Sequence, residues 1–130
     1  MKYLAGTVAL LLLVACTHQA GEIIVPNFEL RIHVIHHSWP VPNCKVYLKR
    51  NTTHWPGPDP RRYDDSTVSN GAGFCSFDSL YYGDYYLYGI GWDKLEADSV
   101  TGNSHVRLSR YNVADGICDT ILWVSESAPH

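Results

Sequence analysis

One proline-rich stretch of the sequence, positions 51–65, carries side chains that suit ligand binding: Trp55, Arg61, Arg62 and Tyr63. Its prolines, at alternate positions from 56 to 60, favour an extended backbone that holds the indole away from a core. Aromatic faces stack on sugar rings, and guanidinium groups pair with carboxylates or phosphates. We expect this stretch, together with Trp39, to form a binding loop. The alternative is that Trp55 folds back to cap an open end of the folded domain.

Three histidines, His33, His36 and His37, raise the question of a metal site. In an extended strand His33 and His37 share a face about 13 Å apart, at roughly 3.3 Å per residue, while His36 points to the other face. A single zinc ion needs ligands that converge. We therefore expect no shared metal site and no cofactor.

Catalytic signatures are equally weak. Ser, His and Asp are all present, but the sequence contains no Gly-x-Ser-x-Gly motif to mark a nucleophile. A catalytic triad would therefore rest on composition alone. We expect no enzymatic activity and assign no catalytic residue.

The N-terminal segment is typical of a secretion signal, because Lys2 precedes an uncharged apolar run at positions 4–14. That run is too short to span a membrane, which takes roughly 20 apolar residues. The run ends in Leu13-Val14-Ala15-Cys16, which resembles the lipobox of bacterial lipoproteins. The resemblance implies that residues 1–15 are removed and that Cys16 carries lipid, including palmitate, and anchors the chain to a membrane.

Localisation follows from the residue after the anchor. An aspartate directly after the lipidated cysteine would resemble the inner-membrane retention signal of many Gram-negative lipoproteins. This chain has Thr17 at that position, which favours an outer-membrane anchor. The chain has no acidic run resembling a surface-export signal, which favours the periplasmic face, with the cell surface as the alternative. Residues 16–22 are small and polar and predict a lipidated tether.

Removal of residues 1–15 from the 130-residue chain leaves 115 residues, enough for one domain, which we place at 23–127. Loss of Lys2 leaves nine basic residues against thirteen acidic ones, a net charge of −4. This charge does not favour nucleic-acid binding. Three further cysteines, Cys44, Cys75 and Cys118, are expected to be free core residues, and one disulfide is the alternative.

Short runs of β-branched and aromatic residues, separated by Gly, Pro, Asn and Asp, predict an all-β fold of about seven strands, an antiparallel or mixed sandwich. Asn70 to Gly73 predicts a hairpin turn. Alternation along three strands predicts that one core contains the following side chains: Val46, Leu48, Phe74, Phe77, Tyr85 and Leu87.

Two segments resemble the transthyretin-like (prealbumin-like) domains called carboxypeptidase regulatory-like. They are Val41-Pro42-Asn43-Cys44-Lys45-Val46-Tyr47-Leu48, and the stretch from Thr67 to Phe77 followed by Leu80 and Gly83-Asp84-Tyr85-Tyr86-Leu87. The resemblance covers about half of the mature chain and implies a transthyretin-like sandwich. Related hydrolases of 5-hydroxyisourate end in Tyr-Arg-Gly-Ser, which is absent from the C-terminus of this chain.

Two functions remain open at this level. The first is a membrane-anchored, non-catalytic interaction or spacer module that contacts a partner protein in the cell envelope. The second is a glycan-binding lipoprotein that uses the loop from Trp55 to Tyr63.

Overall fold

The computed structural model describes residues 27–126, and this part of the chain is built from β-strands. Its eight strands are β1 (Phe28–His36), β2 (Trp39–Pro40), β3 (Lys45–Arg50), β4 (Asp65–Val68), β5 (Phe74–Leu80), β6 (Gly83–Asp93), β7 (Asp98–Leu108) and β8 (Ile117–Glu126). The all-β prediction is confirmed, and the additional strand, β2, has two residues. The predicted signal peptide, Cys16 and the tether lie outside the described residues. No helix within 27–126 is long and apolar enough to cross a membrane.

The strands form a mixed sandwich, as predicted. In the first sheet β1 pairs with β2 and β5 along one edge and with β8, in parallel, along the other. In the second sheet β4, β3, β6 and β7 are antiparallel neighbours in that order. The last residues of β8 pair with β7 at Val100 and Thr101, and this contact joins the two sheets.

Inward-facing side chains of both sheets form one apolar core. The predicted alternation is confirmed for β3, where Val46 and Leu48 are fully buried, and for β6, where Tyr85 and Leu87 are buried. Phe77 from β5 packs in the same core. The remaining members come mainly from β1, β7 and β8: Leu30, Ile32, Val34, Val41, Cys44, Leu80, Val100, Val106, Leu108, Cys118, Leu122 and Val124.

The prediction that Phe74 points into this core is wrong. Phe74 is 47% exposed, and its ring stacks on His33 with centroids 3.9 Å apart. Phe74 and Phe77 are three residues apart, and an odd spacing places side chains on opposite faces of a strand. The register agrees, because Phe77 pairs with Leu30 and Phe74 pairs with His33.

The turn at 70–73 is present but does not make the predicted hairpin. Gly73 donates its backbone N–H to Asn70, and Asn70 donates to Phe74. However, β4 pairs with β3 in the second sheet, whereas β5 pairs with β1 in the first. The turn therefore carries the chain from one sheet to the other.

The three cysteines within residues 27–126 are unpaired. Cys44 and Cys118 are buried, and Cys75 is partly buried. Burial raises the pKa of the Cys44 thiol to about 12 and that of Cys75 to about 11. Both thiols therefore stay protonated at neutral pH and pack as small apolar groups.

The opposite placement of the two β5 phenylalanines gives a matched test of the fold. We expect Phe77→Ala to reduce the free energy of unfolding by roughly 3–5 kcal/mol, because it empties a core position. Phe74→Ala should cost about 1 kcal/mol or less, since that ring is half exposed. Denaturant unfolding of both variants measures the difference. Equal losses would contradict the register of β5 on β1.

Candidate functional site

The outer face of the first sheet exposes a group of apolar side chains. Phe74, Ile121 and Trp123 are 47%, 44% and 61% exposed. The register places His33 between Phe74 and Ile121, and it pairs Ile35 with Trp123. We call the exposed Phe74, Ile121 and Trp123, together with His33 and the buried Ile35 beside them, the apolar face. Sequence reasoning missed it, although β8 carries apolar residues at both odd and even positions, a sign that both faces of a strand meet apolar surroundings.

A polar row borders the apolar face. Arg31 pairs with Ser76 on one side and Asp119 on the other, and its guanidinium lies 3.3 Å from a carboxylate oxygen of Glu29. These residues and Phe74 line an open groove of about 420 Å³. The outer face of the first sheet therefore combines an apolar part with a charged part.

The second surface is the loop between β3 and β4, which folds back onto the second sheet. Its C-terminal end is fixed to β3, because Asp64 donates its backbone N–H to Leu48 and accepts one from Arg50 at 2.7 Å. Lys49 also donates to the Asp64 carboxylate. Burial opposes ionisation of Asp64, but these hydrogen bonds outweigh burial and lower its pKa.

Four rings meet where the loop covers β3 and β6, and we call this group the aromatic surface: Tyr47, Trp55, Tyr63 and Tyr88. The Trp55 ring lies edge-on to Tyr88 with centroids 6.3 Å apart, and Tyr63 stacks on Tyr88 at 5.8 Å. The Tyr63 hydroxyl donates to the carbonyl of Gly57. Trp55 remains 46% exposed. The indole therefore packs against Tyr88 with about half of its surface in solvent.

The two arginines of the loop have partners within the loop. Arg61 forms a two-pronged pair with the carboxylate of Asp59, at 3.1 and 3.0 Å. This hydrogen bond is the main reason that the pKa of Asp59 is lowered. Arg62 donates to the carbonyl of Pro56. Arg61 is 89% exposed and accessible to a ligand, whereas Arg62 braces the loop.

Trp39 does not join the aromatic surface in the structure. It lies in β2, opposite His36, and therefore in the first sheet. No ring contact links it to the loop among residues 27–126. The predicted set of binding residues is thus divided between two sheets.

A third group of side chains gathers at the end of the sandwich where β1, β6 and β8 finish. His36 is 1% exposed, and its two ring nitrogens contact the carboxylates of Asp93 and Glu126. His37 Nε2 lies 3.1 Å from the same Glu126 oxygen. Burial lowers the pKa of His36, but its hydrogen bonds to the carboxylates outweigh burial and leave the pKa raised.

The expected separation of His36 and His37 is wrong. Their ring centroids lie 4.1 Å apart, because His37 follows the end of β1 and adopts a left-handed backbone conformation with a φ of 59°. Strand alternation does not apply to such a residue. His33 lies elsewhere, stacked on Phe74. Sequence reasoning could not find the carboxylates, which lie 57 and 90 residues from His36.

No protein-family model and no curated protein sequence matches the chain. Among solved structures, the match to the major pilin BcpA of Bacillus cereus has 12% identity and a TM-score of 0.51, covering 78% of this chain and 30% of the pilin. The match to the major pilin SpaD of Corynebacterium diphtheriae has 13% identity and a TM-score of 0.54, covering 77% and 30%.

A further match is a proposed carbohydrate-binding protein from Pseudomonas aeruginosa, with 16% identity and a TM-score of 0.51, covering 81% of this chain and 93% of that one. This chain therefore spans about 30% of the length of the two pilins. At these identities the likeness shows a shared β-sandwich fold and nothing finer.

Proposed function

We propose that this chain is a lipid-anchored, non-catalytic β-sandwich of the cell envelope that contacts a partner protein through its apolar face. The observation that carries the proposal is the joint exposure of Phe74, Ile121 and Trp123 at neighbouring register positions. Monomeric proteins rarely expose contiguous apolar patches of this kind without a function. Tryptophan and phenylalanine are also enriched at protein interfaces.

The anchor in this proposal rests on the sequence. The lipobox-like residues before Cys16 support lipidation, and several acyl chains on one cysteine give stable attachment. The tether at 16–22 would hold the sandwich close to the membrane, at the periplasmic face of the outer membrane or, alternatively, at the cell surface. No nucleic acid and no cofactor enter this proposal.

The transthyretin-like assignment is part of the proposal. The Tyr85 hydroxyl donates to the backbone carbonyl of Tyr81 and accepts from its N–H, which closes the corner before β6. Such tyrosine corners recur in β-sandwiches. The major pilin subunits, in which the matched sandwich makes up about 30% of the chain, further support a modular role.

Glycan binding through the aromatic surface is the second candidate. It is favoured by Trp55, which the loop holds on Tyr88 with about half of its surface in solvent. Arg61 adds an exposed guanidinium nearby in the same loop. The similarity to a proposed carbohydrate-binding protein supports this candidate.

Lipidation is tested by replacing the anchor cysteine. We expect Cys16→Ala to abolish palmitate labelling of the chain, because no other cysteine follows a lipobox. Cys75→Ala is the matched control and should label as the unaltered chain does, since Cys75 lies within the sandwich. Palmitate label retained by Cys16→Ala would refute the anchor.

The two candidate surfaces are tested by reciprocal tryptophan variants of the full chain. A photoreactive amino acid placed at position 121 should form a discrete cross-link to an envelope protein. Trp123→Ala should remove this cross-link, and Trp55→Ala should leave it intact. Each variant should cost only about 1 kcal/mol of stability, because each indole is about half exposed or more. Cross-linking in the bacterial cells and thermal melting measure these effects.

The same variants decide between partner protein and glycan. Loss of polysaccharide retention in Trp55→Ala, with retention intact in Trp123→Ala, would establish the second candidate instead. Absence of any cross-link from position 121, or a cross-link unaffected by Trp123→Ala, would refute the apolar face as the contact surface. A stability loss of several kcal/mol in Trp55→Ala would show that the loop serves to stabilise the fold and would refute it as a binding site.

A further inference from the structure

We propose that His36, His37 and Glu126 form a Zn²⁺-binding site at the end of the sandwich. The inference goes beyond the proposed function, because it requires neither the lipid anchor nor a partner protein. It rests on the convergence of these three side chains, on the support that Asp93 gives to His36, and on the chemistry of the donor set.

The ligand atoms already lie at nearly the spacing that zinc needs. One nitrogen from each histidine and one Glu126 oxygen all lie within 4.8 Å of one another. Nε2 of His36 and Nε2 of His37 lie 2.7 and 3.1 Å from the Glu126 oxygen. Tetrahedral ligands about 2.0–2.2 Å from zinc lie roughly 3.3 Å apart. A movement of at most about 1.5 Å in the exposed side chains of His37 and Glu126 would bring all three ligand atoms to that spacing and admit the ion.

Asp93 orients the buried imidazole. One of its oxygens contacts Nδ1 of His36, and the other accepts backbone N–H groups of Leu95 and Glu96. A carboxylate accepts a hydrogen bond from Nδ1–H, and this leaves Nε2 as the ligand atom facing His37 and Glu126. Histidine ligands of zinc are commonly held by a carboxylate in this way.

Charge and donor type favour zinc over the common hard cations. Two carboxylates, Asp93 and Glu126, face one buried imidazole, and a divalent cation would compensate the negative charge of both. Imidazole nitrogens suit zinc, whereas calcium and magnesium prefer oxygen ligands throughout. His37 is 55% exposed, so the site is open to solvent for ion entry and for a water ligand.

A second histidine–carboxylate pair provides a control. His105 Nε2 lies 2.9 Å from a carboxylate oxygen of Asp84, a contact comparable to that between His37 and Glu126. Among residues 27–126, however, the only group of three or more potential ligands is the one at Glu126. His105 should therefore contribute nothing to zinc affinity.

The test is a Zn²⁺ titration of the full, untagged chain purified in detergent, followed by calorimetry. We expect one Zn²⁺ per chain, with binding lost in His37→Ala and in Glu126→Gln and retained in His105→Ala. Substitution by Co²⁺ should give the visible absorption of a four-coordinate nitrogen and oxygen site. Melting curves recorded without metal verify that each variant folds. If Glu126→Gln does not fold, the Zn²⁺ binding of His37→Ala alone decides the test.

Three outcomes overturn the site: no Zn²⁺ bound by the unaltered chain, unchanged binding by folded His37→Ala, or loss of binding in His105→Ala. Asp93→Asn tests the positioning role. It should weaken Zn²⁺ affinity about 10–100-fold while one ion still binds. Unchanged affinity in folded Asp93→Asn would limit Asp93 to a structural role.

Discussion

The packing of β8 against two facing glycines is the contact on which the rest of the sandwich depends. Gly89 in β6 pairs with Gly102 in β7. A Cβ atom at Gly102 would overlap the carbonyl oxygen of Trp123 and lie 3.0 Å from Cα of Val124. A Cβ atom at Gly89 would lie 2.8 Å from the Leu122 side chain. The absence of side chains at these positions lets the β8 backbone, still paired with β1 through Val124, come close enough for its last residues to pair with β7.

The apolar face and the proposed zinc site both follow from that path of β8. Because Leu122 and Val124 point inward over the glycines, Ile121 and Trp123 must point outward and form part of the apolar face. The same path ends at Glu126, which reaches the imidazole of His36 at the end of the sandwich. A single strand thus connects the core, the proposed protein contact and the proposed zinc site.

The sequence was informative where strand alternation is regular. It predicted the buried residues of β3 and β6 correctly, because Val46, Leu48, Tyr85 and Leu87 keep a period of two. It failed at Phe74, because an odd spacing from Phe77 cannot place both rings on one face of a regular strand, and at His37, whose left-handed backbone interrupts the alternation. Contacts between distant strands leave no local pattern, so the Asp93 and Glu126 partners of His36 could not be predicted.

Replacing Gly102, against which β8 packs, with alanine and measuring denaturant unfolding tests the packing of β8 most directly. Gly102→Ala should reduce the free energy of unfolding by about 1–3 kcal/mol, because the added methyl group meets backbone that cannot rotate away. Gly71→Ala is the control, since a Cβ atom there meets nothing within 4 Å, and it should change stability by about 0.5 kcal/mol or less. Wild-type stability in Gly102→Ala would contradict the close packing of β8 on which the apolar face and the proposed zinc site depend.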